Sequence, residues 1–482
     1  MGRGLHVAGR LIPGLPSAAL FGLALAAAVP ASAQVQRSFI NLGFEEPALV
    51  TAGCRVYIAA SQVNGWNTTH TPHATENSGS CIVPAGFART EPILELWRAP
   101  RNNNSGGIVH ARGGNQLAEL NAAVASRIYQ NVCLIQGENV RWRFSHRGRA
   151  PSAASSSSFD RMEMKVGASG TVVRVATTNN GTFQAPIVSQ GSVGTPVNGP
   201  GDTASWVDYR GQFQYAGNTG ETNIGFEAEG GTTEGNLLDE IQIELAPFVE
   251  FTAPASSTPE GSSLNLPTLR VNGTVYSGFD VVVKITGGTA ELGVDFDTPG
   301  SSDTLIVHVP AGTYDGNSAS SRFPLPVTVL DDSASEGNET IEFEIQPPGG
   351  ASPSHLLVSS STCGAPGQTS WIYTIVDNDA NLVLGKNMAD PVAVPGQPTQ
   401  FDVVYTLTVG NPGALQANYS LADTPGMDPD VSILSAHYSL NGAAEVDLGP
   451  GPPSPSWLLQ AQWRPRDRHL RAHRQDPDPA WR

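Results

Sequence analysis

Nine carboxylates between residues 259 and 379 stand at the ends of strand-like runs, in Pro259-Glu260-Gly261, Gly293-Val-Asp295-Phe-Asp297, Asp331-Asp332-Ser-Ala-Ser-Glu336-Gly-Asn-Glu339 and Asp377-Asn-Asp379. If those runs fold into one sandwich, the clusters meet at one pole. Carboxylates a few ångströms apart repel one another unless protons or a cation neutralise them. Calcium is the expected cation: it takes about six to eight oxygens in a flexible shell that loops can supply, whereas magnesium demands tighter octahedral geometry. The alternative is a solvated acidic pole that relieves its repulsion by raised carboxyl pKa values.

The elements that must hold these groups are strands. Val281 to Ile285, Leu305 to Val309, Phe323 to Leu330, Thr340 to Ile345 and Trp371 to Val376 recur between Gly, Ser and Asp turns. In Ile341-Glu342-Phe343-Glu344-Ile345 the period is two, so Glu342 and Glu344 point outward and stay outside the metal proposal. Across 482 residues, 52 glycines and 37 prolines with 15% charged residues favour turn-rich β-structure, and the length suits two to four domains. The fold class is therefore all-β, as tandem β-sandwiches. A net charge of −17 argues against nucleic acid as a partner. Residues 251–380 hold 15 acidic against three basic side chains, an excess concentrated enough to suggest metal sites.

The ordered set Pro-Glu-Gly, Gly-x-Asp-Phe, Asp-Asp-x-x-x-Glu-x-x-Glu and a terminal Tyr-Thr-Ile-Val-Asp-Asn-Asp resembles the Calx-beta domain, an immunoglobulin-like sandwich, over residues 248–380. The resemblance implies calcium ligands at Glu260, Asp295, Asp331, Asp332, Glu336, Glu339, Asp377 and Asp379; Asp297 has no clear counterpart. One departure is the Gln346–Ser370 segment, long for a hairpin connection, carrying a lone Cys363 and expected as a disordered excursion.

Residues 38–247 open with Asn41-Leu-Gly-Phe44-Glu45 and close with Leu237-Leu-Asp239-Glu240-Ile241, which resembles galactose-binding-like jelly rolls. That resemblance implies that Glu45 and Asp239 share a structural calcium ion; the alternative is that each caps a strand end in solvent. Trp66, Trp97, Glu119, Asn121, Trp142 and Arg147 supply the aromatic faces and polar groups that sugar sites use, although buried Trp is the commoner fate. His70 and His73, in Thr-Thr-His-Thr-Pro-His, could bind metal, but in a loop rich in Thr, Asn and Ser they are read as exposed loop histidines. Among Cys54, Cys81 and Cys133 one disulfide is expected, with the pairing open.

Residues 381–455 resemble the start of an immunoglobulin-like surface repeat, and 456–482 form a basic tail read as a truncated or frame-shifted end. Residues 1–33 read as a signal peptide, with Arg3 and Arg10, an apolar Ala18–Val29 run and Ala31-Ser32-Ala33. No later stretch is apolar enough to span a membrane. No Gly-x-Ser-x-Gly, His-Glu-x-x-His or phosphate-loop motif occurs. The sequence thus points to a non-enzymatic, secreted or cell-surface protein with a calcium-binding module and a role in adhesion or matrix contact, or alternatively to a glycan-binding protein acting through the first domain.

Overall fold

The computed structural model describes residues 34–78, 81, 90–102, 107–148, 161–167, 173–179, 182–184, 190–193, 206–229, 235–332, 334, 336–350, 352–379 and 383–396, with isolated strand residues between 401 and 462. The signal-like segment, the serine-rich 152–158 stretch and the basic tail from 463 lie outside the described residues. Among the described residues there is no α-helix; strands and two short 3-10 turns make up the regular structure.

The first sandwich stacks an eight-stranded sheet on a six-stranded one. At the centre of the larger sheet, Asn139–Gly148 lies between Val207–Gln214 and the closing strand Asn236–Glu244, which continues to Gln116–Glu119, Ile93–Arg98 and Arg55–Ala59. The smaller sheet centres on Gly220–Ala228, flanked by Arg161–Val166 and Arg127–Leu134. Side chains from both inner faces, including Leu96, Phe144, Met164, Ile224 and Phe226, make one core. Burying such side chains contributes about 1.5–3 kcal/mol each.

In the second sandwich a five-stranded sheet runs Ala255–Pro259, Ser370–Val376, Glu339–Ile345, Phe279–Gly288 and Thr304–Val309. It faces a sheet of Phe248–Phe251, Thr268–Val275 and Gly312–Asp315, with Arg322–Pro324 also on Thr268–Val275. The period-two expectation holds: Ile341, Phe343 and Ile345 enter the core while Glu342 and Glu344 are exposed. The single strand expected over Phe323–Leu330 is instead two, Arg322–Pro324 and Thr328–Val329. Pro324 and Pro326 lack the N–H that a continuous ladder needs.

Two disulfides form among the described residues, Cys54–Cys81 and Cys133–Cys363. The second corrects the expectation of a lone Cys363 on a disordered excursion. The Gln346–Ser370 segment is packed: Val249 donates to the Leu356 carbonyl and Leu356 to that of Pro247, each at 2.9 Å. Buried Glu250 pairs with Arg270 at 2.9 Å and accepts the amides of Ser360 (2.7 Å) and Gln368 (3.1 Å). Phe248, Cys133, Val35, Leu356 and Cys363 form a small apolar cluster at the junction. Arg37 beside it forms a fully buried, doubly bonded ion pair with Glu138 and lies 4.3 Å over the Phe248 ring. Two disulfides fit an oxidising compartment.

Beyond residue 382, Val383–Met388 pairs with Tyr405–Gly410, and Asn418–Asp423 with Trp457–Gln462. The last strand falls inside the segment read from sequence as basic tail; its Trp-Leu-Leu start suits a strand.

Candidate metal centre

Strand register builds the acidic pole. Ala255–Pro259 and Ser370–Val376 pair in parallel with Pro259 opposite Val376, so the next residues, Glu260 and Asp377, emerge side by side. Glu339–Ile345 runs antiparallel with Glu339 opposite Ile375, which starts that strand at the same end. Asp295 joins through its carbonyl, which accepts the Leu330 amide at 2.9 Å, and brings Asp331 and Asp332 to the same rim. Gly261 is required here: its φ is +66°, and a Cβ on it would lie 2.8 Å from the Asp331 Cβ. Only glycine lets the Glu260 loop pass so close to that aspartate.

Six of the eight sequence-predicted pole residues fall into two groups, Glu260 with Asp377 and Asp379, and Asp295 with Glu336 and Glu339; in each, one oxygen per residue lies within 4.8 Å of the others. Asp331 and Asp332 stand outside both groups but add charge. Asn378, which sequence reasoning passed over, stitches the rim: its amide donates to the Glu260 carbonyl at 3.2 Å and to Asp331 Oδ1 at 3.0 Å. Its place between two aspartates was the available signal. Asp297 is spent on its own turn, accepting from the Thr298 amide (2.8 Å) and the Ser301 hydroxyl (3.1 Å).

The pole is electrostatically frustrated. No described cation forms an ion pair with any of the eight carboxylates. Glu339 is pushed up to about 7, first by desolvation and then by Asp295 beside it. Glu260 is raised by desolvation and by Asp377, Asp332 and Asp379, and Asp379 by desolvation and by Asp377, Asp332 and Asp331. Glu336 is raised by desolvation and by Asp332 and Asp295. Glu260 Oε2 and Asp379 Oδ2 are shielded from solvent and have no hydrogen-bond partner. Withholding a donor from such an oxygen costs about 1–3 kcal/mol, more for a charged group. A calcium ion fits this donor set, because it is hard, prefers oxygen and supplies the positive charge the pole lacks.

Glu45 and Asp239, the other predicted calcium pair, also come together; a Cβ on Gly43 would lie 4.0 Å from both side chains. Their oxygens are served differently. Asp239 accepts the amides of Arg112 (2.8 Å), Gly113 (3.0 Å) and Glu240 (2.7 Å), and Glu45 Oε1 accepts those of Asn115 (2.6 Å) and Gln116 (2.9 Å). Burial still pushes Asp239 up to about 7 despite those three donors. Gly114 makes the approach feasible: a Cβ on it, at φ +56°, would sit 2.1 Å from Glu45 Oε1.

The residues predicted to bind a sugar are interior. Trp66, Trp97 and Trp142 are at most 3% exposed. Trp66 stacks on Phe44 at 4.9 Å and donates to the Asn41 carbonyl, Trp97 donates to Glu95 at 2.7 Å, and Trp142 stacks on Phe144 at 5.3 Å. Glu119 accepts the Gly235 amide, Asn121 the Asn236 amide, and Arg147 is fully buried near Trp206. None of the three rings presents a face to solvent, which corrects the expectation of stacking platforms: the core between the sheets claims Trp66 and Trp142, and a separate cluster with Val109, Leu117 and Trp206 claims Trp97.

No family sequence profile matches this chain, and no curated protein matches it. Among solved structures, the CBD12 fragment of CALX1.2 aligns over 46% of this chain and 74% of its own, at 16% identity and a TM-score of 0.20. The adhesin domain of Epf from Streptococcus pyogenes aligns over 72% of this chain and 98% of its own, at 8% identity and a TM-score of 0.19. Similarity at this level has no bearing on function.

Proposed function

We propose that this is a non-enzymatic, exported β-sandwich protein whose second sandwich binds calcium at its acidic pole, with adhesion or matrix contact as its task. One observation carries the metal assignment: two carboxylate triads share a rim where no described basic side chain pairs with them, and two of their shielded oxygens have no donor. Calcium would be held by Glu260, Asp377 and Asp379 and by Asp295, Glu336 and Glu339, with Asp331 and Asp332 adding charge. Its chemistry here is structural, neutralising repulsion and tying together loops from four segments of one pole. The two disulfides support export.

The test is thermal unfolding of the full chain in calcium and in chelator. A ligand that binds only the folded state stabilises it by about 2.7 kcal/mol at a hundredfold excess over its dissociation constant. The second sandwich is expected to unfold several degrees higher with calcium. An unchanged midpoint at millimolar calcium would overturn the assignment.

A further inference from the structure

Far along the chain from the acidic pole, His70-Thr71-Pro72-His73 joins the strand Asn67–Thr68 to the short strand His73–Ala74. The sequence suggested exposed loop histidines, but His70 is only 3% exposed. Its backbone amide is tied to Thr68 Oγ1 at 3.0 Å. The Nδ1 atom of His70 lies 2.5 Å from the Thr71 carbonyl oxygen, and that of His73 lies 2.8 Å from the Ala74 carbonyl oxygen. A carbonyl oxygen can only accept, so each Nδ1 carries a proton and, in the neutral ring, each Nε2 carries the lone pair.

The two rings stand 6.1 Å apart, edge to face at 87°. His70 Nε2 is shielded from solvent and has no hydrogen-bond partner. Leaving such an acceptor unsatisfied costs about 1–3 kcal/mol. Hydrogen-bonding one ring nitrogen to a backbone carbonyl while leaving the other bare is how proteins orient metal-ligating histidines.

With each Nε2 about 2.1 Å from a tetrahedral ion, two ring centroids stand about 5.2 Å apart, so gathering both rings onto one ion from the observed 6.1 Å takes a shift of about 0.9 Å by the half-buried His73 ring. Imidazole nitrogen suits zinc, copper and nickel, whereas calcium selects oxygen. Across the short ladder from His73 stands Glu91, the nearest carboxylate by register.

We propose that His70 and His73 form a binding site, separate from the calcium pole, for one borderline divalent transition-metal cation such as Zn2+, ligated through both Nε2 atoms.

The test is calorimetric titration of the full chain with Zn2+ in saturating calcium, with 15N-histidine spectra recorded in parallel. One equivalent of zinc should bind, and two Nε2 resonances should shift while the Nδ1–H signals persist. His73→Gln, on the half-buried ring, should weaken binding at least tenfold with the fold intact by circular dichroism. His70→Gln should do the same, whereas Asp377→Ala should leave zinc affinity unchanged. Zinc binding that survives His73→Gln, that disappears with Asp377→Ala, or that is absent from the wild type would overturn the proposal.

Discussion

The Glu45–Asp239 pair and the acidic pole pose one problem, clustered carboxylates, and resolve it in opposite ways. In the first sandwich the chain brings backbone amides to the oxygens: five N–H donors from residues 112–116 and 240 converge on two side chains. In the second, four described backbone amides reach only Asp295, Asp332 and Asp377 among the eight carboxylates, and shielded oxygens of Glu260 and Asp379 face no donor at all. The oxygens that the backbone leaves unserved are what single out the second site for the proposed calcium ion. Glycine placement contributes to the difference, since Gly114 lets Glu45 lie against the chain whose next two amides it accepts, whereas Gly261 only admits one carboxylate beside another.

That contrast is open to direct attack. The largest expected effect is Gly114→Ala, which adds a left-handed strain and a methyl group inside the contact distance of Glu45. It should cost about 2–4 kcal/mol in urea unfolding, equally with and without calcium. A loss that calcium rescues would mean that the first site also holds an ion. Asp377→Ala comes next: it should abolish the calcium-dependent part of stability, about 2–3 kcal/mol at a hundredfold excess of the ion, and leave the first sandwich's unfolding unmoved.

A smaller effect is the pH dependence. The folded state raises Glu339 from 4.5 to about 7, so it binds more protons than the unfolded chain in that window. Stability without calcium should therefore fall as pH rises from about 4.5 to 7, because ∂ΔG/∂pH follows the protons bound by the unfolded minus the folded state. Asp239, raised from 3.8 to about 7, acts with the same sign. Calcium should remove only the pole's share, which unfolding curves at several pH values in calcium and in chelator would separate. A fall that calcium leaves untouched would assign the whole effect to Asp239. Smallest is Glu344→Ala, on an exposed outward face, expected within about 0.5 kcal/mol of wild type in either condition.

Much of the pole was legible in the sequence, because turn-bounded acidic motifs between period-two strands leave few places for the carboxylates to go. Ile341, Phe343 and Ile345 set the register unaided. What pattern could not show was the neighbour relation between distant segments: the parallel pairing that sets Glu260 beside Asp377 spans more than a hundred residues and has no local signature. Asn378 was hidden for the same reason, since its partners are remote. Trp66, Trp97 and Trp142 misled because a ring suited to a sugar face is equally suited to a core, and composition does not tell the two apart. Cys363 looked solitary because its partner belongs to the other sandwich. His70 looked exposed because its loop is polar in sequence while its ring is buried in space.

The Cys133–Cys363 bond also decides how the chain would respond to a pull on its ends. It closes a loop with a sequence separation of 230, so tension entering at Cys133 passes straight to Cys363 and never stretches what lies between. At about 3.4 Å per residue, roughly 800 Å of contour length is withheld. Glu260, Asp295, Glu336 and Glu339 lie within that slack loop, whereas Asp377 and Asp379 lie on the taut side. A cation shared by Glu260, Asp377 and Asp379 would therefore rivet the tensioned strand Ser370–Val376 to the unstrained part of the fold, at the first seam that a pull from the C-terminal side would open.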